Sequence, residues 1–83
     1  MATYFFHLRD GHDVLLDPDG RELADHAAIV RVALMEARHI IGHEAIAGSI
    51  KLDQHIDVED SAGVVVHTIA FADAVAIIGL PPR

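Results

Sequence analysis

The sequence predicts an α+β fold: an antiparallel sheet of about four strands with one long helix packed on one face. Three observations carry that reading. Only the stretch from Asp25 to about Ala47 has the three- and four-residue apolar spacing of a substantial helix. The segments on either side are short runs that alternate in character, as strands do. Turn signals at Asp10-Gly11, Asp17-Pro18-Asp19-Gly20 and Asp60-Ser61-Ala62-Gly63 divide those runs into a hairpin before the helix and a hairpin after it.

The first strand is expected over Thr3 to Arg9. Tyr4, Phe6 and Leu8 fall on one face, and Thr3, Phe5, His7 and Arg9 on the other. Its aromatic density predicts a central strand whose Tyr4, Phe6 and Leu8 face meets the helix. Val14 to Leu16 returns beside it, and Arg21 to Ala24 adds a brief extended piece. In the helix, Val30, Leu34, Ala37, Ile41 and Ala45 line one face, widened by Ile29, Ala33 and Ile40. Asp25 is the expected N-cap and Gly48-Ser49 the stop. Gly42 costs about 1 kcal/mol against Ala inside a helix. One helix with a weak spot is expected, and the missing side chain would let another backbone approach closely.

Beyond the helix, Ile56 and Val58 are expected to face in while Asp57 and Glu59 face water. Val64 to Phe71 is the longest strand candidate, and two registers fit it. Val65, His67, Ile69 and Phe71 share one face; Val64, Val66 and Thr68 share the other. From Asp73 to Gly79 a strand and a helical turn fit equally well. The domain is expected to span residues 1–80, with Pro81, Pro82 and Arg83 as a frayed tail.

With 83 residues, a net charge of −7 and 52% hydrophobic residues, the chain is one small apolar-rich domain. Such a chain buries only about 60% of the surface it exposes when unfolded, so association would add stability that the fold lacks. The charge argues against nucleic acid as the partner. No apolar run reaches the roughly 18 residues of a membrane span, and the N-terminus lacks the order of a signal peptide, so a cytoplasmic protein is expected. Without cysteine, thiolate and disulfide chemistry are excluded.

The string Tyr4-Phe5-Phe6-His7-Leu8-Arg9-Asp10-Gly11 belongs to a wider pattern. It continues in Asp17 to Gly20, Glu22-Leu23-Ala24-Asp25, Ala33-Leu34 with Ala37-Arg38, and Phe71-Ala72-Asp73-Ala74-Val75. Together these resemble a family of small bacterial proteins classed as a domain of unknown function. The resemblance implies a one-domain fold of this plan and brings no activity, cofactor or catalytic residue with it. A second likeness, in the order strand, strand, acidic loop and helix, is to HicB-type antitoxins. The chain lacks their Gly-rich, Pro-Asp loop and their appended DNA-binding segment.

No catalytic motif is present: neither serine lies in a nucleophile elbow, and there is no Gly-rich phosphate loop. The chain is therefore not expected to be an enzyme or to carry a cofactor. One helix covers one face of such a sheet. The other face would leave Phe5, His7, Val64 and Val66 as an interface for a homodimer or another protein. The alternative is a metal site. His39 and His43 stand one helical turn apart, with Glu36 or Glu44 as a further ligand. His67, in one register, would face His7. The acidic residues Asp53, Asp57, Glu59 and Asp60 read as a solvated face.

Overall fold

The computed structural model describes residues 1–79. The expected domain end at residue 80 and the tail Pro81-Pro82-Arg83 lie outside the described residues. The chain runs β1 (Ala2–Asp10), β2 (Asp13–Leu15), β3 (Arg21–Leu23), α1 (His26–Ala47), β4 (His55–Glu59), β5 (Val65–Ala70) and a short helix α2 (Phe71–Ala74). The plan is α+β, and all strand pairs are antiparallel. The brief Arg21 segment, as β3, brings the sheet to five strands, and β1, not β5, is the longest.

β1 organises the sheet, whose order is β2-β1-β4-β5 with β3 also on β1. One edge of β1 pairs with β4 along five residues, Phe5 to Arg9. Its other edge is shared: β2 pairs with Leu8–Asp10 and β3 with Ala2–Tyr4. Because β3 and β4 both run antiparallel to β1, α1 carries the chain from one side of β1 to the other. The two hairpins are thereby joined side by side through β1 and β4.

α1 begins at Asp25, whose Oδ1 accepts from the Ala28 N–H at 2.8 Å, which satisfies one free amide of the first turn. It ends at Gly48, in the left-handed region at φ 95°. There the Gly48 N–H donates to the Ala45 carbonyl and the Ser49 N–H to the Glu44 carbonyl, a Schellman close. Gly42 leaves the helix unbroken, and a Cβ built there meets nothing within 4 Å. Among the described residues, no backbone uses the space.

The buried line of α1 is Ile29, Ala33, Ala37 and Ile41, with Leu34 and Ile40 at its margins. Val30 and Ala45, expected on the inner face, are exposed. The 22-residue helix is about 33 Å long, whereas the five residues of β4 span about 17 Å. The helix is longer than the strand beneath it, and its last turn, with Ala45, stays exposed; in the first turn Ala28 and Ile29 are buried, and Val30, one position on, turns to the flank. Ala33 and Ala37 let its centre sit close over Ile56 and Val58.

Phe71 and Ala74 complete the core. The Phe71 N–H donates to the Gln54 carbonyl at 2.9 Å, and Arg38 Nε donates to the Ala74 carbonyl at 2.8 Å. Asp73 therefore lies in a helical turn, while residues 75–79 have no regular structure.

Neither simple register of β5 survives. A bulge at Val58/Glu59 interrupts the pairing: Val58 opposes His67, whereas Glu59 opposes Val65. The extra residue, Val66, turns to the helix side and packs on the core together with Ile69. Val65 and Thr68 stay on the opposite face. His67, opposite the buried Val58, meets His26 edge-on at 5.8 Å instead of facing His7.

Candidate functional site

Between its pairings with β2 and β3, the edge of β1 is left open over Phe5–His7. The loop from Leu16 to Gly20 fills the gap with a side chain. Asp17 Oδ2 accepts from the Phe6 N–H at 3.1 Å. Its Oδ1 accepts from the Asp19 N–H at 3.2 Å and the Gly20 N–H at 3.1 Å, as an Asx turn does. The Asp17 N–H in turn donates to His7 Nδ1 at 3.1 Å. Burial alone would raise the Asp17 carboxyl. Donation from the Phe6, Gly20 and Asp19 amides, with His7 nearby, outweighs it and holds the group below its ordinary range.

Gly20 closes this loop against the sheet. Its φ is +71°, and a Cβ there would stand 2.8 Å from Thr3 Cγ2 and 2.9 Å from the Phe5 ring. Both the angle and the close approach require glycine.

The sheet face opposite α1 is polar. Arg9 Nε donates to Asp57 Oδ2 at 2.6 Å, and the Thr68 hydroxyl donates to Asp57 Oδ1 at 2.7 Å. Arg9 also lies 3.6 Å from Glu59 Oε2, and His7 Nε2 lies 3.6 Å from Glu59 Oε1. The His55 ring stands 3.6 Å from Asp57, and Phe5 stacks on His7. Burial pushes the Asp57 carboxyl up, but the Thr68 and Arg9 donors, with His55, bring it below its ordinary value. Asp57 and Glu59 are thus half-buried members of a cross-strand network, not the solvated acids expected.

On the helix side, α1 lies over β4, β5 and α2, Phe6 and Leu8 of β1 are only partly covered, and β2 is exposed. A groove of about 380 Å³ opens there, floored by Phe6, Leu8 and Ile56. Ile40 and Glu36 of α1 form one wall; Leu15 and the Asp17–Arg21 loop form the other. The Arg21 guanidinium stands 5.8 Å from the centre of the Phe6 ring and pairs with Glu36. Leu15 and Leu16 beside the groove remain 69% and 63% exposed.

The predicted metal ligands separate. The His39 and His43 rings come together, with centroids 5.5 Å apart. Glu36 is engaged by Arg21. The two oxygens of Glu44 accept from the Lys51 N–H at 3.1 Å and from Gln54 Nε2 at 2.7 Å. Among the described residues, no three His, Asp or Glu side chains gather where they would hold a metal.

The predicted interface residues are also dispersed. Phe5 and His7 lie on the open sheet face, with His7 buried; Val64 is exposed in the hairpin connection; Val66 packs beneath the helix. Sequence reasoning missed Gln54, whose amide ties Glu44 to the Lys51 carbonyl at 2.9 Å. It also missed the reach of Asp17 and the Arg9–Asp57 pair. The Asp-Pro-Asp-Gly signal announces the turn, but no local signal names the amide that its carboxylate meets.

No helix of the described residues is long and apolar enough to cross a membrane. No curated protein and no solved structure matches the chain. The family described as a domain of unknown function, DUF6894, matches residues 3–72. That span takes in the five strands save Ala2 of β1, with α1, the Asp17 loop and the groove, and the chain belongs to this family.

Proposed function

We propose that this domain acts by association and not by catalysis, docking an apolar, basic-flanked segment of another protein in the groove beside α1. The observation that carries the reading is the groove itself. It has an apolar floor of Phe6, Leu8 and Ile56, Asp17 and Asp19 on its rim, Arg21 paired with Glu36 across it, and Leu15 standing exposed at its side. Aliphatic side chains would find the floor, and Lys or Arg flanks would meet the rim and the overall charge of −7. A second copy suits this place poorly, because a two-fold contact here would set Asp13, Asp17 and Asp19 against acidic mates. The carboxylates and histidines of the open sheet face support association in another way: they are engaged with one another and with the backbone.

The test is a titration of isotope-labelled protein with short aliphatic peptides, followed by amide chemical shifts. Peptides flanked by Lys should perturb Leu8, Leu15, Gly20 and Ile40, and Leu15→Ala should weaken binding about tenfold, the loss of one buried aliphatic contact. Equal binding of Glu-flanked peptides, or shifts confined to other surfaces, would remove the proposal.

A further inference from the structure

The outward face of α1 carries a feature that the groove does not use. Met35, His39, Gly42 and Ile46 follow one another at steps of four, three and four residues, the spacing of a helix-pairing seam. Met35 is 62% exposed and Ile46 86% exposed. Between them His39, Gly42 and His43 line a shallow depression with Arg38 and Ile46. Gly42 weakens the helix, yet a Cβ at that position would touch nothing among the described residues. The two imidazoles beside it are exposed, one turn apart and in ring contact at 5.5 Å.

Two imidazoles are half of a tetrahedral zinc set. Among the described residues no further ligand joins them: Glu36 is engaged by Arg21, and Glu44 by Lys51 and Gln54. Arg38, the charged side chain in the depression, is tied through Nε to the Ala74 carbonyl. We infer that His39 and His43 chelate a borderline divalent cation such as zinc, and that a second copy of this chain, crossing at Gly42, completes the site with its own pair. Symmetry then yields four nitrogen ligands, and the Gly42 notches let the helices approach while Met35 and Ile46 are covered.

The experiment is light scattering of the untagged full chain, once with chelator and once with zinc chloride, beside calorimetric zinc titration. The expected result is a monomer in chelator, a twofold rise in mass with zinc, and one zinc per two chains. His39→Ala/His43→Ala should abolish both while keeping the circular dichroism of the parent. No zinc uptake, uptake unchanged in the double variant, one zinc per chain without a mass change, or a mass indifferent to zinc would each overturn the inference. Because this surface is separate from the groove, none of these results bears on the peptide titration.

Discussion

Asp17 does the work of a missing strand segment. Its carboxylate accepts the Phe6 N–H at the point where neither β2 nor β3 reaches β1. Asp17→Ala should therefore cost about 1–3 kcal/mol, the penalty for an amide left without its acceptor. Urea denaturation would read the loss, and Asp17→Asn, which keeps an acceptor oxygen, should recover part of it. Two glycines give opposite outcomes. Gly20→Ala forces both a disfavoured φ and a contact with Thr3 and Phe5, and should destabilise by about 2 kcal/mol or more. Gly42→Ala meets no neighbour and should stabilise by about 1 kcal/mol. Thermal denaturation of the two variants side by side checks both signs.

At the scale of the element, α1 was the most legible part of the chain. The N-cap at Asp25 and the close at Gly48 follow from side-chain and backbone chemistry acting within a few residues. Its buried face was legible only in part: Val30 and Ala45 satisfy the periodicity, yet Val30 turns to the flank of the buried Ala28 and Ile29, and Ala45 lies in the exposed last turn. β5 was harder. A run apolar on both faces leaves the register open, and the bulge that resolves it comes from pairing with β4. Phe71 ties these elements together, fully buried between the end of β5 and α1. Phe71→Ala should cost about 3–5 kcal/mol. Against the roughly 5–15 kcal/mol of a whole domain, that is enough to shift the denaturation midpoint far or to leave the variant unfolded, as near-UV and far-UV circular dichroism would show.

For the whole molecule, the held-down carboxyls set the response to acid. Asp17 and Asp57 both lie below the ordinary value of 3.8 in the folded protein. An unfolded chain therefore binds their protons more readily than the folded one. The stability they contribute is complete above that value and is lost as pH falls through their lower, folded values. Melting temperature followed downward from neutral pH should begin to drop near pH 4, and Asp17→Asn/Asp57→Asn should flatten that drop. A decline of equal steepness in the double variant would assign acid sensitivity to other carboxylates.

The sequence by itself determined the class of fold, the span and caps of the helix, the places of the turns and the inward faces of β1 and β4. Those features depend on periodicity and on contacts between near neighbours, which a linear chain displays. Tertiary structure alone decided that β1 and β4 lie side by side, that Asp17 reaches Phe6, and that Arg9 pairs with Asp57. It also decided that the space beside α1 is a groove, and that the open sheet face is a polar network instead of an apolar patch. The metal reading divides along the same line. The spacing of His39 and His43 places them together on any helix, whereas the diversion of Glu36 to Arg21 and Glu44 to Gln54 depends on residues brought near only by folding. Local patterns specify which way a side chain points; the group it meets is set by the packing of segments distant in sequence.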